Sequence, residues 1–128
     1  MSPSPEKLHG LRILVAEDEA LILLDIEDML HDLGCEIVGP VATVDAAMSA
    51  IRQSAMDGAI LDVSLHGERI TPAADALRAR GIRFILCTGY GRNPDDEPAI
   101  RDAPRLAKPF TLDSLRAAVT DAFAAGRT

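Results

Sequence analysis

Aromatic residues are nearly missing from this 128-residue chain, which has no tryptophan, one tyrosine and three phenylalanines. A core of stacked rings is therefore excluded, and the 48% hydrophobic content must pack through Leu, Ile, Val and Ala. Such a diet suits an α/β sheet. Basic clusters are missing as well: 13 Lys and Arg stand against 20 Asp and Glu, for a formal net charge of -7. This balance argues against a nonspecific nucleic-acid binder, which needs a basic stripe to displace counterions. No stretch approaches the roughly 20 apolar residues of a membrane span, and the opening "MSPSPEK" has two prolines and no apolar run. A soluble, cytoplasmic protein with neither nucleic acid nor membrane as partner is expected. Cysteine is limited to Cys35 and Cys87, without CxxC or metal-like spacing. Both stand beside apolar segments and are expected to be buried free thiols.

What is present is an alternation of short apolar runs and helical patterns. "LRILVAED" (11 to 18) is a strand ending in carboxylates. "LILLDIEDMLHDLG" carries Ile22, Ile26, Met29, Leu30 and Leu33 at helical spacing and closes on Gly34 as C′. "CEIVGPVA" predicts a second strand and "TVDAAMSAIRQ" a second helix capped by Thr43. "GAILDVSL" is the third strand. "TPAADALRARG" combines Thr71 as N-cap, Pro72 at the first helical position and Gly81 at the stop. "RFILCT" and "RLA" predict strands four and five, and "TLDSLRAAVTDAFAAG" a last helix with Leu112, Leu115, Val119 and Phe123 on one face. The length fits one domain, spanning 11 to 125, after a flexible segment 1 to 10 and before a short tail 126 to 128.

Strands alternating with helices are usually parallel, because each helix carries the chain back over the sheet. Runs 13 to 16, 59 to 61 and 84 to 87 are continuously apolar, as strands buried on both faces must be. In such sheets functional groups gather at the carboxyl ends of the strands. There the sequence places Glu17, Asp18 and Glu19 after strand one, Asp62 after strand three, Thr88 after strand four, and Lys108 with Pro109 after strand five. Converging carboxylates repel one another unless a cation joins them. Mg²⁺ suits the set, since it accepts a few carboxylates and keeps water and phosphate oxygens as its other ligands. With the metal bound, one carboxylate can attack phosphorus. The charge then developing is met by the metal, by an ammonium (Lys108) and by a neutral donor (Thr88). Alternatively, Thr88 merely caps the next helix.

These residues make the chain similar to the receiver domain of bacterial two-component response regulators. The similarity rests on Glu17-Asp18 after "ILVA", Asp62 in "AILDVSLHGE", Thr88-Gly89 after "FILC", and Lys108-Pro109-Phe110, and it covers roughly Leu11 to Ala125. It implies a flavodoxin-like (βα)5 three-layer sandwich with a five-stranded parallel sheet of order 2-1-3-4-5. It further implies that Asp62 accepts a phosphoryl group from a phosphohistidine on a sensor histidine kinase or a histidine phosphotransfer protein. Asp18 is then a direct Mg²⁺ ligand beside Asp62, Glu17 helps directly or through water, and the backbone carbonyl of Ser64 completes the protein ligands. Lys108 contacts the phosphoryl oxygens, Thr88 swings in to hydrogen-bond them, and Ser64 and Tyr90 tune hydrolysis. The three histidines, His9, His31 and His66, lie on separate elements and are expected at the surface rather than as a metal set or an internal phosphodonor.

The departures are as informative as the matches. Receivers usually carry Tyr or Phe three residues before the lysine, as a rotating switch; here the residue is Arg105. Pro94, Pro98 and Pro104 crowd the fourth helix, which is expected to be short, shifted or partly disordered. The stretch Leu86-Cys87-Thr88-Gly89-Tyr90 resembles a subgroup of stand-alone alphaproteobacterial receivers with a Phe-Ala-Thr-Gly-like motif. Tyr90 is either a substitute lever or a ring packed over the loop with its hydroxyl in water. Asp25, Glu27, Asp28 and Asp32 lie opposite the apolar stripe of the first helix, and Leu21 or Leu24 beside them is the expected partner surface. No output domain is expected after Ala125, and with it an unknown downstream protein or a relay role is expected. Two other functions fit parts of the pattern. An aspartate-nucleophile phosphatase usually needs an acid at position 64, where this chain has serine. A pseudo-receiver that binds partners without phosphorylation would not need the full set of Asp18, Asp62, Thr88 and Lys108.

Overall fold

Residues 8–89 and 98–124 are described by the computed structural model. Their main sheet is built from β1 (Arg12–Ala16), β2 (Glu36–Val41), β3 (Gly58–Asp62), β6 (Arg83–Thr88) and β7 (Arg105–Ala107). All neighbours are parallel, in the order β2-β1-β3-β6-β7. This is the expected 2-1-3-4-5 order, counted over the five strands of that sheet. Helices α1 (Ala20–Asp32), α2 (Val44–Gln53), α3 (Thr71–Ala79), α4 (Pro98–Arg101) and α5 (Leu112–Val119) intervene, and a π-helical turn, Thr120–Ala124, extends α5.

Alternation along the strands divides the core into two layers. Leu14, Ala16, Ala59, Leu61 and Leu86 face Val44, Ala47, Ile51, Ala73, Ala74 and Leu77 of α2 and α3. Ile13, Val15, Ile60, Ile85 and Cys87 face Ile26 and Leu30 of α1 and Leu115 and Val119 of α5. Burial on both faces accounts for the uninterrupted apolar runs. Both cysteines are buried thiols outside any disulfide, and the Cys35 thiol donates to the Leu8 carbonyl at 3.5 Å. One close approach fixes a glycine: a Cβ on Gly58 would stand 2.4 Å from the Phe123 ring.

Several local expectations hold. Gly34, at φ 82, sits just past α1, and the Thr43 hydroxyl accepts the Ala46 N–H at 3.1 Å. A cap that the sequence reading did not single out is Thr111 at α5, whose hydroxyl accepts the Ser114 N–H at 3.1 Å. Of the fourth helix, the described residues hold the turn Pro98–Arg101.

Three details differ. Thr71 is the first residue of α3 rather than its cap; the N-cap is the buried Ile70, which the core holds in place while its carbonyl accepts the N–H groups of Ala73 and Ala74. The third strand stops at Asp62, and Ser64–Leu65 (β4) instead pairs antiparallel with Glu68–Arg69 (β5). The last helix widens into a π turn at Thr120, so that Ala122, Phe123 and Ala124 are all buried. Tyr90, Gly91 and the segment through position 97 lie outside the described residues.

Candidate functional site

The parallel topology delivers the polar residues to one edge. Glu17 and Asp18 follow β1, Asp62 ends the adjacent β3, Thr88 ends β6 beyond it, and Lys108 follows β7. Register brings them level, because Asp62 pairs with Cys87 and Thr88 pairs with Ala107. The Lys108 N–H donates to the Thr88 carbonyl at 2.9 Å and fixes the last strand end against the fourth.

Lys108 is the hinge of the charge arrangement. Its Nζ lies 2.9 Å from Glu17 Oε1 and 3.1 Å from Asp62 Oδ2. Glu17 is only 1% exposed, whereas the Asp62 side chain retains 15%. One carboxylate oxygen each from Glu17, Asp18 and Asp62 lies within 4.8 Å of the others. Backbone donors hold them: Glu19 N–H to Glu17 Oε2 at 3.2 Å, His66 N–H to Asp18 Oδ2 at 2.8 Å, and, more loosely, Ser64 N–H to Asp62 Oδ1 at 3.5 Å.

These surroundings move the acidities apart. Burial comes first for Glu17 and pushes its carboxyl up to about 7; the adjacent Asp62 carboxylate works in the same direction, against Lys108 and the Glu19 N–H. The His66 N–H holds Asp18 below the ordinary carboxylate range. Burial opposes the Lys108 ammonium, but Glu17 and Asp62 outweigh it and raise its pKa. Burial pushes the Cys87 thiol up to about 12, which leaves it protonated and inert as a nucleophile.

The donor set fits a divalent cation. Three carboxylates converge where the Lys108 ammonium reaches only Glu17 and Asp62, all the clustered ligand atoms are oxygens, and burial works against the charged form of Glu17. Glu17, Asp18 and Asp62 are the residues that would hold Mg²⁺.

The expected site residues are thus mostly brought together. Glu17, Asp18, Asp62 and Lys108 form one cluster, and Thr88 stands buried at the neighbouring strand end. Ser64 lies in β4, two residues beyond Asp62. Arg105 points its business elsewhere: its guanidinium donates to the Ile100 carbonyl of α4 at 3.1 Å. Sequence reasoning missed the His66 N–H and the Glu19 N–H, since backbone donors carry no side-chain signature. His9, His31 and His66 are all exposed, as expected.

The response regulator receiver domain model matches residues 13–120. PdtaR, a transcriptional regulatory protein of Mycobacterium tuberculosis, is 33% identical over 112 residues, covering 84% of this chain and 54% of that protein. The chain therefore spans about half the length of this curated relative. SdrG from Sphingomonas melonis Fr1 is 42% identical, with a TM-score of 0.76 over 87% of this chain and 94% of SdrG. The receiver domain of sensor histidine kinase PA1611 from Pseudomonas aeruginosa, solved with magnesium in its active-site cleft, is 26% identical at a TM-score of 0.76, covering 88% of this chain and 96% of that one. On the family match and the identity to PdtaR, this chain belongs to the response regulator receiver domain family of two-component signalling.

Proposed function

We propose that the chain accepts a phosphoryl group on Asp62 from the phosphohistidine of a sensor histidine kinase or histidine phosphotransfer protein, and that it acts through a downstream protein partner. The observation that carries this reading is the Lys108 bridge: one ammonium holds a half-buried Asp62 against the buried Glu17 at the carboxyl edge of the sheet. A purely structural ion pair would not require a third carboxylate beside it, nor a hydroxyl at the neighbouring strand end.

In the reaction, an Asp62 oxygen attacks phosphorus as the P–N bond to the donor imidazole breaks, and the bonding electrons return to that nitrogen. Lys108 fixes the direction of Asp62 beforehand and exchanges its carboxylate contact for the incoming phosphoryl oxygens. The Thr88 hydroxyl is the neutral donor on the opposite side, where the product brings about -1.5 to -2 charge. Glu17 and Asp18, with Asp62 and the Ser64 carbonyl, would hold Mg²⁺, which would supply positive charge opposite the transferred group. Ser64 flanks the product and tunes its lifetime. Arg105, tied to α4, takes the place of the usual aromatic switch and couples β7 to that helix. A BeF3-activated conformation of SdrG, 42% identical to this chain, has been solved, and trifluoroberyllate is a mimic of a phosphoryl group, which supports this reading.

Intact-mass measurement after incubation with Mg²⁺ and acetyl phosphate tests the proposal. The wild type gains one phosphoryl mass, while Asp62→Asn and an EDTA-treated sample do not. Stoichiometric labelling of Asp62→Asn would remove Asp62 from the role.

A further inference from the structure

The hairpin β4–β5 has no part in the main sheet, yet it lies across the mouth of the site. Its turn residues, His66 and Gly67, have φ values of 48 and 83, the pair of positive angles that a type I′ turn requires. Glycine takes such angles freely, whereas histidine does so at a cost in strain. Strain at a non-glycine residue persists only where the surroundings over-determine it. Here they do: Leu65 and Ile70 on either side are fully buried, Ile70 N–H donates to the Val63 carbonyl at 2.9 Å, and Leu65 pairs with Glu68.

The same turn leaves the His66 N–H outside the hairpin ladder and directs it to Asp18 Oδ2 at 2.8 Å, across 48 residues of sequence. At the other end of β4, the Ser64 N–H approaches Asp62 Oδ1. The hairpin thus touches two of the three clustered carboxylates, one through each of two backbone donors. Engaging Oδ2 restricts the rotation of the Asp18 carboxylate beside Glu17 and Asp62.

We infer that His66 is a positioning residue: its backbone N–H, presented by the anchored type I′ turn, fixes the Asp18 carboxylate and so sets the spacing of the divalent-cation site. The imidazole is not required for this, only the N–H and a backbone able to hold a positive φ. His66→Gly should therefore retain the function, and removal of the N–H should lose it.

Because this role rests on the Mg²⁺ site proposed above, the test separates the two. An amide-to-ester replacement at position 66, made with the α-hydroxy analogue of histidine, removes the N–H and keeps the side chain and chain length; it also weakens the Leu65 carbonyl as an acceptor in the ladder, a cost that is the same whatever stands at position 18. Mg²⁺ titration followed by NMR gives the dissociation constant, expected to rise about tenfold in the ester and to stay within about twofold for His66→Gly. Urea midpoints of the metal-free protein complete the set: the ester should lower the midpoint more when Asp18 is present than in an Asp18→Ala background, the difference being the N–H to Asp18 bond, and equal losses in the two backgrounds would overturn it. Wild-type affinity in the ester, or an equal loss in His66→Gly, would overturn the role of the N–H. If the wild type itself bound no Mg²⁺, the cation site would fall instead, and the urea cycle would still decide whether the N–H holds Asp18.

Discussion

A glutamate buried to 1% exposure, with its carboxyl pushed up to about 7, makes the metal-free site sensitive to pH. The folded chain holds the Glu17 proton more tightly than the unfolded chain, where the value is 4.5. Its contribution to stability is therefore fully present below about 4.5 and is lost as pH rises to about 7. Asp18, shifted downward, acts only at lower pH, and Lys108, shifted upward, only in alkali. Urea unfolding in EDTA should accordingly show wild type losing on the order of 2 kcal/mol relative to Glu17→Gln between pH 5 and 8. Added Mg²⁺ should restore more stability at pH 8 than at pH 5, because the cation replaces the proton. Lys108→Ala should still accept phosphoryl from acetyl phosphate, as the nucleophile and acids remain. Its phosphorylated form should fail to show the amide chemical-shift changes that phosphorylated wild type shows in β7 and α4, and unchanged responses would count against Lys108 as the link. The identities of these residues were legible in the sequence because each stands at the end of an apolar run. Their donors were not: the N–H groups of Glu19 and His66 reach the acids only through backbone geometry.

Among the elements, the five sheet strands could be read because both their faces are buried, and the cap at Thr43 because its hydroxyl has no competing core role. The hairpin could not, since strands of two residues have no periodicity to detect. Thr71 misled for a different reason: its position before Pro72 is that of a cap, but burial of Ile70 sets the helix start one residue earlier. The π turn was equally hidden, because Val119 and Phe123 are spaced as a regular helix would space them. That turn places Phe123 over Gly58, so the two elements constrain each other. Gly58→Ala should destabilise by about 1–3 kcal/mol through overpacking. In a Phe123→Leu background the same substitution should cost clearly less, measured by thermal or urea denaturation. Equal costs in both backgrounds would mean that the ring does not fix the glycine.

For the whole molecule, five parallel strands bring residues from positions 17 to 108 to one edge, with acids, ammonium and hydroxyl on neighbouring strand ends. Among the described residues no helix is long and apolar enough to cross a membrane. Among the described residues the exposed large hydrophobics, Leu21 and Leu24, lie on α1 beside exposed Asp25 and Asp28, and we propose this face as a partner surface. The account turns on where the phosphoryl group is bonded. Borohydride reduces an aspartyl phosphate to homoserine, so reduction of the phosphorylated chain followed by peptide sequencing locates it. Homoserine at position 62 is expected, and it should be absent when Mg²⁺ is withheld; a phosphorylated chain with homoserine at another position, or with none, would contradict the account.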